Sequence, residues 1–129
     1  MWFDNALHKE KITHMFDGGL DICNAELTGF SFYGHSSVKF SFNIKGIPEK
    51  HPKKWDGYNY SAINLVLGFD GVRNFKCEGR RVFFFCDPQV NSLPGIATVT
   101  IKNEHFEIYC ESEFLTIESI SPYIDERWD

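Results

Sequence analysis

Val38-Lys39-Phe40-Ser41-Phe42-Asn43-Ile44-Lys45 is the stretch whose pattern decides the fold class. Val38, Phe40, Phe42 and Ile44 fall at every second position, and Lys39, Ser41, Asn43 and Lys45 fill the positions between them. Successive side chains of an extended strand point to opposite faces, so this alternation describes a strand with one dry face and one wet face. Just upstream, Glu26 to Tyr33 reads as a second strand, and Gly34-His35-Ser36 supplies turn residues between the two. The pair is predicted to form an antiparallel hairpin.

Downstream of the hairpin, Pro48 and Pro52 each remove a backbone donor and bias their neighbours toward extended geometry. Residues 46 to 58 are therefore predicted as a loop. Strand pattern resumes at Tyr60, where Ile63, Leu65, Leu67 and Phe69 share one side. Ala62 and Val66 make the other side apolar as well, which marks this segment as a candidate central strand. Asp70-Gly71 signals a turn before a weaker strand from Val72 to Cys77. A turn at Glu78-Gly79-Arg80 leads to the short aromatic strand Val82-Phe83-Phe84-Phe85-Cys86, whose three phenylalanines are expected to be core. Asp87-Pro88 opens a predicted loop through Pro94-Gly95. The last third gives three more strand segments: Ile96 to Lys102, His105 to Glu111 and Phe114 to Ile120. The tail from Ser121 to Asp129 keeps Tyr123, Ile124 and Trp128 and is expected to pack down as a turn or short helix.

Upstream of the hairpin, Leu7, Ile12, Met15 and Phe16 have helical spacing, so Phe3 to Phe16 is predicted as a short helix. Asp4 or Asn5 can cap its start, and Gly18-Gly19 can end it. Together these elements give an α+β chain that is mostly β: a twisted antiparallel sheet of about seven or eight strands with a short N-terminal helix. At 129 residues, with no low-complexity linker and no repeat, residues 1–129 are expected to form one domain.

The net charge of −5 argues against nucleic acid or an anionic membrane as partner. Glu104 to Asp129 holds eight acidic residues against Arg127 alone, whereas Lys45, Lys50, Lys53 and Lys54 cluster near the loop. Either cluster is a solvated face or a binding surface. The four cysteines form no Cys-x-x-Cys pair and have no histidines at zinc-finger spacing, so no metal or cofactor is expected. Cys77, Cys86 and Cys110 lie in apolar runs and are expected in the core. No basic-then-apolar leader and no apolar run of spanning length is present, which makes the cytosol the expected compartment.

Nucleophile-elbow, phosphate-loop and zinc-protease motifs are absent, and no catalytic residue is nominated. Cys110 and His105, five apart on a strand, point to opposite faces. Glu111 and Glu113 would share a face, as surface carboxylates. The groups suited to recognition are Trp55, Tyr58 and Tyr60, types that anchor protein interfaces. The alternative for Trp55 is burial, with the loop folded over an open end of the sheet.

The order of features resembles the immunity protein 50 family of bacterial polymorphic-toxin systems. Trp2 and Asn5 near the start, the helix, the Val38 to Ile44 strand, Pro52-Lys53-Lys54-Trp55, Tyr58-Asn59 and the closing Ile120-Ser121-Pro122-Tyr123 carry the resemblance. It implies a small bacterial protein that binds and neutralises a cognate toxin domain without catalysis. The acidic end suits a basic partner such as a nuclease, through charge complementarity. On physical grounds the expected contacts are Glu107, Glu111, Glu113 and Glu118, with Trp55 and Tyr58 as further candidates. The oligomeric state stays open. The competing reading is a small-ligand-binding β-domain with an aromatic-rich interior, and a third is an uncharacterised hydrolase.

Overall fold

The computed structural model describes residues 1–16, 19–45, 53, 55 and 61–123. Gly18, most of the 46–60 loop including Pro48, Pro52, Tyr58 and Tyr60, and the end of the tail from 124 lie outside them. The predicted hairpin is present as β1 (Ala25–Tyr33) and β2 (Ser37–Ile44). They pair antiparallel, with Phe42 opposite Leu27 and Phe40 opposite Phe30. Thr28 is the extra residue where the register slips, and its hydroxyl donates to the Ser41 carbonyl at 3.2 Å. β3 (Ala62–Asp70) adds to the far side of β2, which places Leu65 beside Phe42 and Leu67 beside Phe40.

Six strands follow: β4 (Asn74–Gly79), β5 (Phe84–Cys86), β6 (Gln89–Leu93), β7 (Ile96–Asn103), β8 (Phe106–Ser112) and β9 (Phe114–Tyr123). A five-stranded sheet runs β5-β1-β2-β3-β9 and a four-stranded sheet runs β4-β8-β7-β6, all antiparallel. The mostly-β antiparallel class with one short helix holds. The strands divide between two sheets, and the described residues contain nine of them. β6 falls in the expected 87–95 loop. Only Val90 and Ser92 of this strand face inward, too few to print an apolar alternation. β3, the candidate central strand, lies between β2 and β9, while Val66 on its second apolar side is half-buried.

Each sheet has one apolar face, and the two faces bury each other in a single core. Phe40, Phe42, Leu65 and Leu67 come from the larger sheet, Ile101 and Ile108 from the smaller, and all are 0–1% exposed. Each such side chain stabilises the fold by about 1.5–3 kcal/mol relative to exposure. Phe30 bridges the sheets. Its ring centroid lies 6.0 Å from that of Phe40 on β2, 5.9 Å from Phe75 on β4 and 6.4 Å from Phe106 on β8. The wet side of β2 is less wet than its pattern: Asn43 is buried and accepts a 3.0 Å hydrogen bond from the Asn64 amide.

The predicted Phe3–Phe16 helix shrinks to α1 (Glu10–Met15). Leu7 instead makes a parallel bridge with Thr116 at the outer edge of β9, and His8 adopts φ 62, which breaks the helix. Asn5 does not cap α1. Its backbone N–H donates to the Ser92 hydroxyl at 3.1 Å and its side-chain amide to the Ser92 carbonyl at 2.8 Å. Ser92 in turn donates to the Trp2 carbonyl at 2.7 Å. The N-terminal segment thus lines the edges of β9 and β6 and covers one flank of the two-sheet core.

Ser92 is 6% exposed, so replacing it by alanine leaves the Asn5 N–H and Trp2 carbonyl facing a methyl group. Ser92→Ala is expected to lower the unfolding free energy by about 1–3 kcal/mol. Urea unfolding of the two proteins, with matched slopes, measures it.

Candidate partner-binding surface

The four glutamates expected to form one acidic surface are placed on different faces. Glu107 and Glu111 alternate with inward-facing Phe106, Ile108 and Cys110, so they lie on the outer face of the four-stranded sheet. Glu118 sits on β9 over Gly68, on the outer face of the five-stranded sheet. Glu113 occupies the turn where the chain passes from one sheet to the other, and its N–H donates to the Asp70 carbonyl at 3.0 Å. That crossing splits the acidic run, which corrects the expectation of a continuous patch. Neighbouring strands dilute the charge further: Lys102 is 3.7 Å from Glu107 and Arg73 is 3.9 Å from Glu113. Tyr109, between Glu107 and Glu111, donates its hydroxyl to Glu111 at 3.0 Å, which raises the tyrosine above its ordinary range.

Trp55 is 2% exposed and meets the Phe16 ring edge-on at 5.7 Å. Burial, the structural alternative of the two readings, is what the chain adopts, so Trp55 offers no surface to a partner. Tyr58 lies outside the described residues.

The surface that does present anchoring groups lies where β1, β4 and β5 meet. The three phenylalanines expected to be core separate here: Phe84 packs inward at 5.1 Å from Phe106, but Phe83 is 66% exposed and Phe85 44%. Backbone geometry is the cause. Gly79 ends β4 at φ 149, and a Cβ there would approach the His105 carbonyl oxygen to 2.7 Å. Arg80 to Val82 then cross toward the other sheet, and Phe83 donates its N–H to the Leu27 carbonyl at 2.7 Å. Phe83 does this at φ 70, a left-handed conformation that costs an L-residue about 1–2 kcal/mol.

That turn also limits β5 to three residues opposite Ala25–Leu27. Residues 28–33 of β1 therefore have no outer strand neighbour among the described residues, and neither does β4. Phe32 and Tyr33 are 63% and 62% exposed on this edge. Phe32 packs on Phe75 of β4 at 4.9 Å, and Lys39 lies 4.1 Å over the Tyr33 ring. Arg80, Arg81 and Lys76 are exposed nearby, and no ion pair engages them among the described residues. Arg80, Arg81, Val82, Phe83, His105 and Phe106 border a groove of about 470 Å³. The Arg80-Arg81 pair beside a phenylalanine run was visible in the sequence. Which of the rings face water depended on a register that it does not print.

Chemistry of other kinds finds little footing. Cys86 and Cys110 are buried, which pushes both thiols up to about 12, while Cys77, expected in the core, is exposed on edge strand β4. His105 is in the exposed β7–β8 turn, away from the inward Cys110. Among the described residues no three His, Cys, Asp or Glu side chains group as metal ligands, and no helix is long and apolar enough to cross a membrane. The phenylalanines of β1, β2 and β3 pack ring on ring, with Phe40 5.5 Å from Phe69, instead of lining a ligand chamber.

The family model described as Immunity protein 50 matches residues 8–123, a span that runs from just before α1 to the end of β9. None of the curated proteins and none of the solved structures compared with the chain matches it.

Glycine adopts the left-handed region freely, so Phe83→Gly removes the strain and an exposed ring together. The substitution is expected to leave the fold intact and raise its stability by about 1 kcal/mol. Thermal unfolding by circular dichroism reads the change. A loss of stability would show that the Phe83 ring supports the core.

Proposed function

The chain belongs to the immunity protein 50 family, and from that premise we propose that it binds a cognate bacterial toxin domain and neutralises it by occlusion, without chemistry of its own. The observation that carries the reading is the extent of the family match, which includes every strand and the helix. The structure supports it in two ways. The fold is two antiparallel sheets packed on one core, the kind of platform on which a preformed interface loses little entropy on binding. Its exposed aromatic and arginine side chains are of the types that dominate protein interfaces.

The net charge of −5 favours steering of a basic toxin domain from a distance, which keeps a nuclease among the expected partners, in the cytosol of the bacterium that makes both proteins. Steering acts over a Debye length of about 8 Å or more, whereas contacts are set by the local surface. The carboxylates on the two outer faces therefore bear on association rate more than on where the toxin docks.

The test uses the toxin domain encoded beside the gene for this chain. Co-expression is expected to rescue growth of cells producing that domain, and titration of the purified toxin is expected to reach complete inhibition at one equivalent of the chain. Continued toxin activity with folded chain in excess would contradict the proposal. Complete inhibition far below one equivalent would indicate a catalytic mode instead.

A further inference from the structure

We propose that the unpaired edge of β1, residues 28–33, is the toxin-docking edge, and that it takes up an extended, acidic segment of the toxin as an added strand. The inference rests on the toxin-binding reading above and specifies its surface and the chemistry of the partner segment.

Three independent features converge on this edge. The first is backbone: β1 has nine residues, and β5 pairs with only three of them. Phe83, at φ 70, turns the chain out of the lane that β5 would otherwise continue to fill. Among the described residues no strand pairs with the outer side of residues 28–33, which offers a template for a segment of about six residues and roughly 20 Å. A protein normally guards such an edge with inward charge, proline or a covering loop. Residues 28–33, Thr-Gly-Phe-Ser-Phe-Tyr, carry no charge and no proline, and the bulge at Thr28 sits at the end next to β5.

The second feature is apolar. Phe32 and Tyr33 flank one end of the open lane, and Phe83 and Phe85 stand at the other, all four exposed. Such rings anchor an added strand by covering its side chains on both faces. The third is charge. Arg80 and Arg81 lie beside the lane on the segment leading into Phe83, and Lys39 is over Tyr33. Glu104 in the β7–β8 turn borders Arg80 and offsets it in part, while Glu78 shares the outer face of the four-stranded sheet with Lys76, and Glu107 there is 3.7 Å from Lys102. In a chain of net charge −5 this corner is locally basic, so it selects carboxylates. The same charge disfavours a second copy of the chain, because edge-to-edge pairing would bring Arg80 and Arg81 toward their own counterparts.

The test measures affinity of the neighbouring-gene toxin domain for the wild-type chain and three variants by calorimetry, with circular dichroism to confirm folding. Arg80→Glu with Arg81→Glu is expected to weaken binding roughly 30-fold or more and to flatten its salt dependence. Phe83→Gly, whose backbone favours glycine, is expected to weaken it about tenfold while its melting temperature holds or rises. Glu107→Lys with Glu111→Lys, on the outer face of the other sheet, is expected to change affinity less than about threefold. Wild-type binding that survives the arginine reversals but collapses in the double lysine variant would overturn this docking edge while leaving the toxin-binding reading intact. Equal affinity of all four proteins would also overturn it. Failure of the wild-type chain to bind would instead overturn the reading on which it rests. A wild-type dimer in sedimentation that Phe83→Gly dissociates would assign the edge to a second copy.

Discussion

Everything in this molecule follows from two sheets that are each apolar on one face only. Burying those faces against each other removes Phe40, Phe42, Leu65, Leu67, Ile101 and Ile108 from water almost completely. Nothing in that contact protects the strand edges, and the two flanks of the core are finished differently. Along β9 and β6 the N-terminal segment supplies backbone and side-chain partners, through Leu7 to Leu115 and Ile117 and through Asn5 to Ser92. At β1 and β4, among the described residues, rings close the gap, with Phe32, Phe75, Phe30 and Phe106 in contact in turn. Rings exclude water from the core but satisfy no backbone group. One flank is complete and the other is open.

The open flank is also where the chain tolerates unfavourable geometry. A phenylalanine at φ 70 is a standing cost, and its effect is to stop β5 after three residues and hold an aromatic ring in solvent. On the proposed toxin-binding reading, this arrangement has a use. The edge is preorganised by β2 on its inner side, so a partner strand would be ordered against a backbone that is already fixed. Arg80 and Arg81 beside the edge and Lys39 over Tyr33 then set basic groups along it in a molecule of net charge −5. Long-range attraction and contact chemistry are in this way separated onto different parts of the surface.

Much of the fold was legible because its strands print their alternation. Val38–Ile44 and Phe106–Cys110 each alternate apolar inward residues with polar outward ones, and both are strands in the expected places. Elements whose partners are distant were less legible. β6 carries few apolar residues because Ser92, an inward position, is satisfied by Asn5 from the opposite end of the chain. Leu7 looked like the start of a helix face, and the edge of β9 draws it into a bridge instead. The surface proposed for docking was least legible of all. Glu107, Glu111, Glu113 and Glu118 are close in sequence, but one turn between sheets sends Glu118 to the opposite side of the molecule. Phe83, Phe84 and Phe85 look alike in sequence, and the left-handed turn at Phe83 together with the alternation of β5 sets partly buried Phe84 apart from exposed Phe83 and Phe85.

Amide hydrogen exchange on the chain alone and bound to the neighbouring toxin domain addresses the central claim most directly. In the free chain, outer-edge amides of residues 28–33 should exchange fast while those of β2 and β3, paired on both sides, exchange slowly. Binding should slow exchange within residues 28–33 and leave β7 and β8 unchanged. Protection confined to β7 and β8, with residues 28–33 still exchanging at their free rate, would contradict the account.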